Sequence, residues 1–192
     1  MSSVTRRRNP RGEGARLREP LIAAAVELID ELGDASKVSV RAITRRAGVS
    51  PTALYLHFPD RDAVVDAAVD AGFEAFNATV IEAAATPGIP REQLRAMCRA
   101  YVAFTERQPQ LYSVIFSARH THAGSTSVDR AAGFDTLVDR VAATLGAADE
   151  ATEVAVAVWS ALHGFATLRA TGTPKAFPPP AAFVARLLDA HF

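Results

Sequence analysis

The stretch from Val38 to Arg61, VSVRAITRRAGVSPTALYLHFPDR, limits what this chain can fold into more than any other part of it. Val40, Ile43 and Ala47 stand at i, i+3 and i+7, one apolar stripe of a short helix, and Ser39 is placed to cap it. Arg41 and Arg45, four apart, share a different face that can stay wet. Gly48 follows the last periodic residue, where a helix end favours positive φ. Ser50 then offers a second N-cap and Pro51 a pre-set φ at the first helical position. Leu54 is left to lock this second helix onto the first. Pro59 ends it by disfavouring helical geometry at Phe58, and Asp60 caps the next helix.

Two short helices so joined make either a helix-turn-helix, whose second helix enters the DNA major groove, or an αα-hairpin inside an ordinary helical core. The outward-facing set separates the two: Arg41, Arg45, Arg46, Thr52, Tyr55, His57 and Arg61. A buried hairpin would not carry so many donors without acceptors nearby. Base reading falls to the start of the second helix, Pro51, Thr52 and Ala53, where a hydroxyl, methyls and apolar contact are on offer but no bidentate pair. Arg41 is the one nearby side chain suited to bidentate recognition of guanine; the alternative is that it meets phosphate only.

Net charge is zero over 192 residues, which looks wrong for a nucleic-acid binder until the chain is divided. Residues 1–61 hold 11 Lys and Arg against 7 Asp and Glu, a surplus of 4; residues 62–192 hold 10 against 14, a deficit of 4. A positive head on a negative body places the anionic partner at the head.

Flanking segments complete an all-α pattern in three parts. Residues 1–15 form a basic arm, expected to be disordered, in which Arg6, Arg7, Arg8 and Arg11 either follow phosphates or merely solubilise. Residues 16–61 form the DNA-binding head. Its first helix runs from Arg16 to Leu32 with Leu21, Ala24, Ala25, Leu28 and Leu32 as the buried stripe, and Pro20 puts its regular start near Arg18 or Glu19. Residues 62–192 form a larger helical domain. A long helix over Asp60–Ala85 carries Val65, Val69, Phe73, Phe76 and Val80 as a lever out of the head. Helices follow over Arg91–Arg107, from Pro109 to Ser117, and over Ser127–Leu145, Glu150–Ala170 and Ala181–His191, with a polar loop over Ala118–Thr126.

Val154–Leu168 is apolar around most of its circumference, so it needs cover on nearly every side, from a ligand, a second subunit or both. A two-fold homodimer is expected. Met97, Tyr101, Phe104, Tyr112, Phe116, Phe134, Trp159 and His163 are the candidate lining of an adaptable apolar pocket, each with a core position as its plainer reading. Trp159 and His163 share a helix face, and a histidine in so apolar a helix needs a polar partner. His120 and His122 have no third ligand close in sequence, so no metal site is expected, and no cofactor. No Ser-His-Asp set, Gly-rich phosphate loop or metal signature marks an enzyme. The single Cys98 forbids an internal disulfide and points to a reducing, cytoplasmic setting; no apolar run approaches the roughly 20 residues of a membrane span.

From Val40 to Ala67 the chain reads VRAITRRAGVSPTALYLHFPDRDAVVDA, which resembles the TetR family of bacterial transcriptional regulators in its Gly-Val-Ser turn, its Leu-Tyr-x-His-Phe run and the basic residue opening the next helix. Trp159-Ser-Ala-Leu-His163-Gly164 is similar to the Trp…His-Gly signature of one branch of such C-terminal domains. The resemblance implies about nine helices and a homodimer through the helices near 149–171 and 180–191. It implies a repressor that leaves a palindromic operator in double-stranded DNA when a small-molecule effector fills its C-terminal pocket. It also implies that Tyr55 and His57 hydrogen-bond phosphates, with Arg61 adding charge beside them. A helical ligand-binding or interaction protein without a DNA role is the competing function.

Overall fold

The computed structural model describes residues 14–117, 129–171 and 176–192, with side chains described from residue 17. The expected arm lies outside it up to residue 13, as do His120, His122 and the expected loop over 118–126.

Among the described residues there are nine α-helices and no strand. The head holds α1 (Gly14–Leu32), α2 (Val40–Ala47) and α3 (Pro51–Tyr55), with a 3-10 turn over Ala35–Lys37 between the first two. Next comes α4 (Arg61–Ala84), and the second domain continues through α5 (Pro90–Arg107), α6 (Pro109–Ile115), α7 (Ala132–Leu145), α8 (Ala151–Ala170) and α9 (Pro180–Asp189).

The caps form where the sequence puts them. The hydroxyl of Ser39 accepts from the Ala42 amide at 3.2 Å, that of Ser50 from Ala53 at 3.3 Å, and the Asp60 carboxylate from Ala63 at 2.8 Å. Each satisfies one amide that the first helical turn leaves without a partner. Gly48 ends α2 at φ 69°, in the left-handed region. Ile43 and Leu54 are fully buried, so α2 and α3 are locked to each other and to Leu21, Ala25 and Ile29 of α1.

Helix α1 departs from expectation twice. It begins at Gly14 and runs through Pro20, so residues 14 and 15 belong to a helix and not to the arm. Pro20 is exposed, and the carbonyl one turn before it can turn to water. Leu32 is 41% exposed, because the helix ends there and the chain turns away through Gly33; Ile29 takes the buried place instead.

Helix α4 joins the two halves. Val64, Val65, Ala68 and Val69 pack into the head, and Phe73, Phe76 and Val80 into the second domain. Gly72 lets α6 close onto it, since a Cβ there would meet Leu111 Cδ1 at 2.9 Å. The Asp30 carboxylate of α1 accepts from the Leu111 amide at 2.9 Å, a second tie between head and body. The expected boundary at residues 61 and 62 therefore falls at the start of a helix that both halves share.

By length and mean hydropathy (1.2), α8 could cross a membrane. Ala155, Val158, Leu162 and Phe165 are nevertheless buried against the other helices, while Val156, Trp159 and Leu168 remain exposed. It is a core helix with an uncovered apolar side.

Gly48→Ala should destabilise the head by about 1–2 kcal/mol, because a Cβ there strains the left-handed backbone while touching nothing within 4 Å. Thermal or urea unfolding measures it, and Gly48→Asn should lose less.

Candidate nucleic-acid interface and ligand cavity

At the head, the side chains named for DNA fall into two groups. Arg41, Arg45, Ser50, Pro51, Thr52 and Tyr55 are exposed, with Tyr55 at 54%; Ala53 and His57 are half-buried. The side chains of Arg41 and Arg45 make no hydrogen bond or ion pair among the described residues, so their guanidinium donors are free. Ser50 already accepts the Ala53 amide, which leaves its O–H for a partner outside the molecule. Leu56, 79% exposed between Tyr55 and His57, was not singled out in the sequence. Its apolar character hid it, since such a residue in a helix is ordinarily assigned to the core.

Two arginines of the outward set are engaged internally. Arg61 donates from Nε to the Val38 carbonyl at 2.7 Å and from Nη2 to the Ala35 carbonyl, and it pairs with Asp62 at 2.6 Å. It holds the entry to α2 against the start of α4, so it does not stand as the free charge expected beside Tyr55 and His57. Arg46 forks onto Glu27 at 2.9 Å and Glu31 at 2.7 Å, joining α2 to α1. The guanidinium beside Glu31 holds that carboxyl below its usual range. Apart from Asp62, their acceptors lie 15 to 26 residues away, out of reach of a short sequence pattern.

Behind the head lies a cavity of about 630 Å³ between α4, α5, α7 and α8, with the end of α6 at Ile115. Met97, Tyr101, Phe116, Phe134 and Trp159 line it, as named from the sequence. Phe104, Tyr112 and His163 do not. Phe104 is buried behind Phe76, with ring centroids 5.3 Å apart. Tyr112 and His163 stand one layer back, bonded to each other at 2.6 Å through the Tyr112 hydroxyl and His163 Nδ1. The polar partner that His163 needs is therefore within the protein.

Helix α4 supplies a wall that the sequence did not reveal: Phe73, Phe76, Asn77 and Val80. The periodic apolar stripe that makes α4 a lever also faces the cavity. Arg130 stands at the edge, 2.9 Å from Asp70 and 5.1 Å over the Phe73 ring. Cys98 also lines the cavity, and burial pushes its thiol up to about 12, so it stays protonated. Among the described residues no three His, Cys, Asp or Glu side chains gather as a metal ion would require.

Two family models match the chain. One, described as the C-terminal domain of tetracyclin repressor-like proteins, matches residues 94–191; the other, described as bacterial regulatory proteins of the tetR family, matches residues 21–68. A protein of unknown function from Rhodococcus sp. RHA1 superposes with TM-score 0.77 at 29% identity, over 95% of this chain and 96% of that one. A TetR-like transcriptional regulator from the same source has the same fold, with TM-score 0.68 at 21% identity over 95% of each chain. Nucleoid occlusion factor SlmA of Vibrio campbellii is 24% identical over 98 residues, 51% of this chain and 50% of that protein. The chain thus spans about half the length of the curated relatives it matches.

Burial holds the His163 imidazole below its ordinary range. A base so shifted is neutral in the fold, while the unfolded chain still takes a proton near pH 6.5. Stability is therefore present above that range and declines as pH falls through about 6.5. Wild type should lose more melting temperature than His163→Asn between about pH 7.5 and about pH 5.5, as differential scanning calorimetry would read.

Proposed function

The chain belongs to the tetR family of bacterial regulatory proteins, and on that footing we propose that it is a DNA-binding transcriptional regulator: a homodimeric repressor released from a palindromic operator by a small apolar or aromatic molecule. The observation that carries this is the placement of the two sites on α4. One end seats a head whose free donors point outward, and the other end walls the cavity. Over 24 residues an α-helix spans about 36 Å, long enough to convey a tilt from one to the other. A ligand that fits the cavity better in the tilted state draws the dimer out of DNA register by its differential affinity alone.

On DNA, Arg45, Tyr55 and His57 are phosphate contacts that set the head on the duplex, helped by the Ser50 hydroxyl. Pro51, Thr52 and Ala53 present small groups to the major groove, and Arg41 reads a guanine edge. Leu56 adds apolar contact beside them. Arg61 serves the interface from behind, by holding the α2 entry in place.

The dimer is assigned to the outer side of α8 with α9. Ala157, Ala161, Gly164 and Leu168 recur there at steps of three and four, exposed or half-buried, and among the described residues no other element lies within 4 Å of a Cβ at Gly164. A two-fold contact along that stripe sets the spacing of the heads. The regulator works in the cytoplasm, with no catalytic role and no membrane partner.

Arg41→Ala should weaken operator binding by about 1–3 kcal/mol and relax preference at one base pair per half-site, read by anisotropy titration over an operator mutant series. Equal weakening of every sequence would make Arg41 a phosphate contact only. If duplex DNA were bound with no salt dependence, or not at all, the chain would be a helical ligand-binding module without a DNA role. Gly164→Arg should turn the dimer into a folded monomer by sedimentation; an unchanged mass would remove α8 from the interface.

A further inference from the structure

The cavity's few polar atoms narrow the chemistry of what it can hold. Arg130, the one cation among the described residues that line it, is already 2.9 Å from the Asp70 carboxylate and lies over the Phe73 ring. Asn77 gives its amide N–H to the Asp129 carbonyl at 2.9 Å. Cys98 is a protonated thiol, a weak partner. Among the described residues, a buried anion would therefore desolvate without a free cation to meet it.

Among the described residues that line the cavity, Tyr101 brings the one hydroxyl. The Tyr101 hydroxyl is 2.5 Å from the Tyr112 hydroxyl, which is 2.6 Å from His163 Nδ1. Each link of this relay can run either way. When Tyr101 donates to Tyr112 and Tyr112 to Nδ1, the Tyr101 oxygen keeps a lone pair for a ligand O–H. When His163 carries its proton on Nδ1, Tyr112 donates to Tyr101, and the Tyr101 O–H is turned toward a ligand carbonyl. The exchange moves one imidazole proton from Nε2 to Nδ1 by way of solvent, which His163, only half-buried, can reach.

We propose that the molecule this cavity takes is neutral and mostly apolar, carries one carbonyl or hydroxyl oxygen, and is recognised at that oxygen by Tyr101, with Tyr112 and His163 as positioning residues behind it. This rests on the reading of the cavity as an effector site. It narrows that site to ketones, phenols and alcohols on an aromatic or aliphatic body and sets carboxylates aside.

A matched series tests it: biphenyl, 4-acetylbiphenyl, 4-hydroxybiphenyl and biphenyl-4-carboxylate, titrated against the full chain. Trp159 is the chain's single tryptophan and lines the cavity, so its fluorescence reports occupancy. The ketone and the phenol should bind about 3- to 10-fold more tightly than biphenyl, the gain of one hydrogen bond in a dry site. The carboxylate should bind most weakly. In Tyr101→Phe the gain should vanish, the ketone and the phenol binding that variant no more tightly than biphenyl does, and Tyr112→Phe should reduce it. The ketone, but not the phenol, should shift the ¹⁵N resonances of His163 to the Nδ1-protonated form. A preference for the carboxylate, or a polar gain that survives both Tyr101→Phe and Tyr112→Phe, would overturn the proposal while the cavity stays an effector site. If none of the four binds the wild-type chain, the effector reading itself falls and this inference with it.

Discussion

Helix α4 buries Val64, Val65, Ala68 and Val69 against the head and Phe73, Phe76 and Val80 against the second domain, and it runs through 24 residues without a break. Both cores are completed by the same rigid body, so neither can shift without the other sensing it. The close fit of α6 at Gly72 and the bond from Asp30 to the Leu111 amide tighten the junction. Interiors packed this closely pass displacement on instead of absorbing it. The regulatory reading depends on that mechanical continuity more than on any single contact to DNA.

Within the head, charge is sorted by use. Arg46 and Arg61 give their donors to groups of the protein, where they hold α2 in place against α1 and α4. Arg41 and Arg45 keep theirs for a partner. Solvent screens the Arg46 fork, so it serves more to orient α2 than to stabilise the fold. The cavity shows a comparable sorting: Arg130 is paired with Asp70, and the Tyr101 hydroxyl on the wall connects back through Tyr112 to His163.

The helix-turn-helix could be read from the sequence because its signals are local. Ser39, Gly48, Ser50, Pro51 and Asp60 each act on their own stretch of backbone, and each is found at the cap or turn its chemistry favours. Three matters were not legible. Asp62 apart, the partners of Arg46 and Arg61 lie 15 to 26 residues away, which no short pattern encodes. Pro20 marks a helix start by propensity, yet an exposed proline can be carried inside a helix whose later turns are anchored by Leu21, Ala25 and Ile29. Of the pocket candidates, Phe104, Tyr112 and His163 were the right types on the right helices, but the difference between lining a cavity and backing its wall is one layer of packing. That depends on where α4 lies, and the α4 stripe has the same period whichever neighbour it meets.

The most direct measurement of coupling through α4 is the distance between the two heads of the dimer. Spin labels placed at Lys37→Cys, on the exposed turn of each head, would report it by pulsed electron resonance; the native Cys98 is buried and protonated and takes no label. On operator DNA the account predicts one narrow distribution, consistent with recognition helices about 34–36 Å apart. With a compound that quenches Trp159, it predicts a shift of several ångström and loss of the DNA-bound distance. An identical distribution with the cavity empty and filled would contradict it.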